Sequence, residues 1–398
     1  MPSIDRRRLL GTAAAALVGS VAVRRIGAQP DREPATRSPG WHHPERDGGN
    51  TASTTDPGPR TDGEIGWERR IDTTDSGGFS GFAQWDETLL VPGDRRLVAI
   101  DTASGDQQWR FAPADRRWSL DASPRVRDAT AFLPSRSVYV NAVDLETRRL
   151  RWRYRTDGSI HATTLAGSLL CFSSFLDGNR RVIALETETG TERWRSPGQW
   201  HDAGATGDVI VAVRRRENRN LELKLAGVDL ETGETVWSGT PDGFSLSLGS
   251  QVVACEDRAL VTGHEGVVVL EAATGERRAT LEGVPAAGGL AVGPDGERVY
   301  VTDPWEEAVT GVDLASDDRW TVETAAESGI AVGDDTVYVA TADGLLALDA
   351  TDGERRFAVE PEMTSPTSRP SRIETTPLVS GDVVYHRIGE AVYEVRRP

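Results

Sequence analysis

Lysine is almost missing from this chain. Lys224 is the only lysine among 45 basic residues, and 62 Asp and Glu leave a formal charge of −17. Such a surface gives the counterion-release contribution to nucleic-acid binding the wrong sign, which excludes a nucleic-acid partner. Sparse lysine with abundant carboxylates also predicts a halophilic protein. Cysteine is nearly as scarce: Cys171 and Cys255 stand 84 residues apart in apolar strand contexts. That excludes a zinc-type cysteine cluster and reads as buried structural thiols. No Walker loop, EF-hand loop or Gly-x-Ser-x-Gly elbow occurs. The apolar stretch from Gly11 to Val23, at 13 residues, is too short to cross a bilayer, so no span is expected in the mature chain.

What the chain does have is a repeat. Leu97-Val-Ala-Ile-Asp101-Thr-Ala-Ser-Gly105-Asp-Gln-Gln-Trp109 reads strand, tight turn, strand. The acid that ends the first strand recurs at 144, 186, 229, 271, 313 and 349, in steps of 43, 42, 43, 42, 42 and 36. A carboxylate there can accept hydrogen bonds from the turn behind it. Gly105, Gly190, Gly233, Gly275 and Gly353 supply the positive φ that such a turn often needs. The returning strand carries a large aromatic: Trp109, Trp152, Trp194, Trp237 and Trp320. A period near 40 with four short strands per unit predicts an all-β fold, a β-propeller of four-stranded antiparallel blades. Each blade buries its faces against its neighbours, and Trp suits that junction.

The motif Ala-x-Asp-x-x-Thr-Gly-x-x-x-Trp resembles the repeat of the pyrroloquinoline-quinone (PQQ)-like propellers, over about residues 41–398. In that family the Trp packs on the motif of the adjoining blade. The resemblance includes the quinoprotein dehydrogenases and the BamB-like propellers, which bind proteins and carry no quinone. In the dehydrogenases, it implies, adjacent cysteines form a disulfide over the quinone, and Ca²⁺ sits in carboxylate and amide oxygens beside a catalytic Asp. Cys171 and Cys255 are not such a pair, so no cofactor is expected. The BamB-like branch implies a non-catalytic binding or scaffold propeller. The alternative is a quinoprotein-type dehydrogenase or another propeller enzyme acting at the central channel.

The ends of the chain complete the organisation. Residues 1–28 read as a twin-arginine-type signal: Arg6-Arg7-Arg8-Leu9-Leu10, an apolar stretch, then Ile26-Gly27-Ala28 as a cleavage site. Export to the cell surface or the medium is expected, with an unidentified protein or small ligand as partner and a monomeric state. Residues 29–60 read as a linker or extended arm. Within it, Trp41-His42-His43-Pro44 through Asp47-Gly-Gly-Asn50 to Gly58-Pro59 resembles the leading segment of PQQ-like propellers. The propeller occupies 61–398. Glu64-Ile-Gly-Trp67-Glu is an outer strand with no blade before it, while the stretches around Tyr385 and Tyr393 are inner strands with nothing after them. Trp67 is therefore expected to close the eighth blade by pairing the N- and C-terminal strands, with Glu394 in the place of the turn acid.

The blades are unequal. The fifth has Ala279 where Trp belongs, the sixth has Trp320 one residue early and no Gly, and the seventh has Phe357. His264-Glu265 and Arg214 to Asn220 read as exposed hairpin tips. For a site, the innermost strands align by the turn that follows them. Six residues before Arg127, Gly167 and Gly207 stand Asp121, His161 and His201; the same count reaches Ser80 and Thr375. Asp121, His161 and His201 at one channel mouth are a candidate ligand set, and a weak candidate for a divalent metal. Trp118, Trp200 and Asp202 are expected to wall it.

Overall fold

The computed structural model describes residues 47–71, 81–93, 95–113, 123–135, 138–176, 179–215, 222–284, 288–361 and 375–398. These form eight four-stranded antiparallel blades, each with its strands in sequence order except the last. The first blade is Ala83–Trp85, Thr88–Gly93, Arg96–Asp101 and Gln107–Phe111. In the eighth, Glu64–Arg70 pairs with Ala391–Arg396 and lies outside Val383–Ile388 and Leu378–Ser380. The ring is closed by the two ends of the chain, as the orphan strands predict, and the closure removes a free sheet edge.

The blade seams explain the repeat. Asp101 accepts the amides of Ala103 at 3.1 Å and Ser104 at 2.9 Å, and Asp229 accepts that of Thr232 at 2.8 Å. The indoles of Trp67, Trp152, Trp194 and Trp237 each donate to a turn carbonyl of the next blade, at Thr102, Thr187, Leu230 and Ala272, over 2.9–3.0 Å. The ring then covers the turn glycine. A Cβ on Gly105, Gly190, Gly233 or Gly275 would meet it at 2.5 Å, and these glycines have φ near +70°. Two constraints thus select Gly: the left-handed backbone and the close approach of Trp. The second turn has Arg148 at φ 59° instead, with its guanidinium 5.9 Å over the Trp109 ring.

The irregular seams have local causes. Most blades insert one extra residue between the acid's strand and the Trp strand, as between Ala99 and Ile100. The sixth blade has no such bulge, so Trp320, one residue early, still faces Gly311. Its indole reaches Ala350 O at 3.3 Å. Ala279 of the fifth blade presents no ring, and the sixth turn carries Asp317 at φ 62°. Leu281, Val284 and Leu314 share the hydrophobic cluster at that seam.

One register expectation is corrected. Glu394 lies opposite Trp67, as Ala99 lies opposite Trp109, so Arg396 and not Glu394 stands where the turn acid belongs. Glu394 is instead buried, and burial pushes its carboxyl upward. The eighth blade also buries Arg387, whose Nη1 donates to Pro92 O of the first blade at 3.0 Å across the closing seam.

The arm is part of the fold from Asp47 on. Ala205 N donates to Gly48 O, Ala254 N to Gly49 O, Val292 N to Thr51 O and Val332 N to Ala52 O, at 2.7–3.0 Å. Ser53–Thr54 adds a parallel strand to the seventh blade, and Gly58 N reaches Gly381 O at 2.9 Å. These contacts fall at or just beyond the finishing ends of the innermost strands, from the fourth blade to the eighth.

Candidate functional site

The residues expected at a channel mouth that are described fall near the starting ends of the innermost strands. Those of the third and fourth blades, Ser159–Ala166 and Gln199–Thr206, lie against each other. Both contain a bulge: pairing slips between His161 and Thr164 in one, and between Trp200 and Asp202 in the other. His201 is the unpaired residue of its bulge, a device that re-aims a side chain out of the pleat. His161 is exposed and His201 half-buried.

His201 is the chemically distinctive group. Its Nε2 is buried without a hydrogen-bond partner. Burial first, then the positive charges of Arg215, His161 and Arg180, hold its pKa below the ordinary imidazole value. The neutral ring is therefore favoured, and Nε2 is an orphaned polar atom with neither a partner nor exposed surface. Arg180 stands at the rim with its Nε on Gln199 Oε1 at 2.9 Å and its guanidinium 4.9 Å over the Phe175 ring.

The other expected residues divide. Trp118 and Asp121 lie outside the described residues, as do Ser80, Trp41, His42 and His43. The hairpin pairs Arg127–Thr130, Ala166–Leu169 and Thr206–Val209 are equivalent. Asp128, and not Arg127, therefore matches Gly167 and Gly207, and the position six before it is residue 122. Trp200 is not a channel wall: at 2% exposure it packs in the core with Trp194, Cys171 and Ala212, its amide on Ser173 Oγ at 2.7 Å. Asp202 Oδ2 accepts Val252 N at 2.7 Å and so ties the fourth blade to the fifth. Thr375 is buried, its hydroxyl on Arg387 O at 3.2 Å. Among the described residues no three His, Cys, Asp or Glu form a metal-holding group. What the sequence reading missed is Arg180, Arg215 and Gln199. The Arg runs at 180–181 and 214–216 were the available signal; antiparallel pairing brings Arg215 opposite Gln199, where an inner strand begins.

Comparison with known proteins adds the following. No curated protein matches the chain. The quinohemoprotein alcohol dehydrogenase from Comamonas testosteroni superposes with a TM-score of 0.72 at 14% identity, covering 91% of this chain and 81% of that one. A europium-containing methanol dehydrogenase superposes at 0.69 and 12% identity, covering 90% and 98%. BamB from Moraxella catarrhalis gives 0.63 at 13%, covering 84% and 100%. At these identities the likeness carries the fold alone. It nonetheless corrects one expectation. The expectation of a non-catalytic binding scaffold gives way to its alternative, a quinoprotein-type dehydrogenase or another propeller enzyme acting at the central channel, as the reading to propose, because the alcohol and methanol dehydrogenase structures superpose at TM-scores of 0.72 and 0.69 and BamB at 0.63.

A family profile described as outer membrane protein assembly factor BamB matches residues 48–159, 93–319 and 306–395. With the repeat, the Trp seams and the closed eight-bladed ring already in place, that match over most of its length means that the chain belongs to this PQQ-like propeller family.

Proposed function

We propose that this chain is a dehydrogenase-like propeller enzyme that acts on a hydroxyl-bearing substrate at the mouth formed by the third and fourth blades. The observation that carries the reading is His201: a neutral imidazole, half-buried, with an unpartnered Nε2 and cationic neighbours. A neutral imidazole is a base for the hydroxyl proton once a substrate opens the packing over Nε2, the charges of Arg215 and Arg180 favour the alkoxide, and the hydride on the carbinol carbon passes to a two-electron acceptor supplied from outside the chain. The depressed pKa keeps the base unprotonated at neutral pH.

The quinone and Ca²⁺ of the resembling dehydrogenases do not fit the residues described. Cys171 is fully buried in the third blade and Cys255 lies in the fifth; both are free thiols, with burial pushing Cys255 up to about 11. No carboxylate cluster suited to Ca²⁺ accompanies them among the described residues. No step is therefore routed through a quinone. The twin-arginine-like leader and the acidic composition support a place for this activity outside the cytoplasm of a halophilic cell.

The test is oxidation of alcohols, polyols and hydroxy acids by purified protein with a phenazine dye as electron acceptor. Wild type should turn over. His201→Gln should lose roughly 100-fold or more in kcat, and the wild-type rate should rise with pH through the lowered pKa of His201. No oxidation of any substrate class, or equal rates in His201→Gln, would contradict the reading.

A further inference from the structure

Each blade ends in an outer strand, and among the described residues none of these has a strand on its far side. The outer strand of the second blade is Arg149–Arg155, paired only with Tyr139–Asp144. With Arg148 before it, the stretch reads Arg-Arg-Leu-Arg-Trp-Arg-Tyr-Arg. That is five arginines in eight residues with no Asp or Glu, in a chain of net charge −17. No other outer strand carries more than two arginines, and Glu64–Arg70, Glu192–Pro197, Arg277–Glu282 and Arg319–Glu323 mix both signs.

Alternation along this strand separates packing from charge. Trp152 and Tyr154 are half-buried in the seam with the third blade. The indole donates to Thr187 O at 3.0 Å and the phenol to Glu192 Oε2 at 2.7 Å. Arg149, Arg151, Arg153 and Arg155 are exposed. Arg151 Nε donates to Asp144 Oδ2 at 2.9 Å and Arg153 Nε to Asn141 Oδ1 at 2.8 Å, which holds both along the blade. The edge is therefore fixed before any partner arrives, and the arginines at 151, 153 and 155 follow one another about 6.8 Å apart.

Charge on an edge strand ordinarily guards against pairing with another sheet. Either sign serves for that, and mixed edges do it on the other blades. A row of one sign does more: it disfavours a basic partner and attracts one with carboxylates at the same period of two. We propose that Arg149–Arg155 is a docking edge for an acidic peptide in extended form. The peptide adds a fifth strand to the second blade and sets its carboxylates beside the arginines. A peptide fits this edge better than a nucleic acid does. The chain as a whole repels any polyanion at a distance, and only another backbone can take up the free N–H and C=O groups of the edge. The edge lies on the outer rim of the ring, so the proposal is independent of any chemistry at the mouth.

The experiment is fluorescence anisotropy of the whole protein with a short labelled peptide of alternating glutamate and threonine. It is compared with its glutamine counterpart, with the same glutamate peptide N-methylated on its backbone, and with an oligothymidylate of equal charge. The glutamate peptide should bind at least about tenfold more tightly than the other three, and more weakly as NaCl is added. Hydrogen exchange should slow in Arg149–Arg155 on binding and stay unchanged in the outer strand Glu64–Arg70. Arg149→Gln combined with Arg155→Gln should remove most of the preference without moving the denaturation midpoint, since both side chains are exposed. Arg155→Lys in place of Arg155→Gln should restore part of it. No binding, equal affinity for the glutamate and glutamine peptides, or a preference unchanged in the double variant overturns the proposal. Undiminished binding of the N-methylated peptide overturns strand addition, and oligothymidylate binding as tightly overturns the peptide in favour of a nucleic-acid surface. Self-association that protects the same amides without peptide overturns it in favour of a second copy of this chain.

Discussion

The two ends of the ring solve the same problem in opposite ways. At the finishing ends of the innermost strands, the arm answers the blades' free polar groups with its own backbone. Asn50 shows this best: its side-chain amide donates to Ala203 O and Val252 O, each at 3.1 Å, and so joins the fourth blade to the fifth. Gly48 and Gly49 lie so close to Leu165 O and Ala254 O that a Cβ on either would collide with a carbonyl. At the starting ends, His201 keeps a buried nitrogen without a partner, and Arg180 and Arg215 have no carboxylate at ion-pair distance among the described residues. A polar group left unanswered in a partly buried place costs stability. One end is thus closed by backbone pairing, and the other is where the proposed site lies.

The largest expected effect tests what holds the two ends in one frame. Trp194 fixes the seam between the third and fourth blades, through Leu230 O and the face of Gly233. Trp194→Ala should cost roughly 3–5 kcal/mol in chemical denaturation. Because His161 and His201 belong to those two blades, it should also disturb the mouth. An unchanged midpoint would break the link between seam and site. Substitution of Ala279, where no ring fills the seam, should cost far less.

A smaller effect separates the ends. Asn50→Ala removes two buried hydrogen bonds and leaves a non-Gly residue at φ 60°. The expected loss is about 2–3 kcal/mol, read from denaturation midpoints. Hydroxyl-substrate turnover and the titration of His201 should stay as in wild type. If Asn50→Ala altered the mouth as much as Trp194→Ala does, the contrast between the ends would fail.

Most of the ring was legible because its constraints are local and recur. The acid, the glycine and the Trp of the regular repeats lie within about ten residues of one another, and each is needed for one turn and one seam. Closure was legible for a different reason: Glu64 to Glu68 has the pattern of an outer strand and no partner nearby. Register was less so. Glu394 lies two residues from the place expected for it, because the equivalent position, Arg396, falls 47 residues after Asp349, off the period of the earlier blades, and does not carry an acid. The bulge that the sixth blade lacks made Trp320 look displaced. The site was only half legible. His161 and His201 follow from counting back along equivalent strands, but Trp200, beside His201, turns into the core instead. Arg215 belongs to a stretch that the sequence reads as an exposed hairpin tip, and Arg180 to one that drew no reading.

The most direct test of this account is the NMR titration of the His201 imidazole in wild type and in Arg215→Gln at fixed ionic strength. The account predicts a wild-type midpoint below the ordinary value of 6.5 and an upward movement when the Arg215 charge is removed. A midpoint at or above 6.5 that does not move in the variant would contradict it.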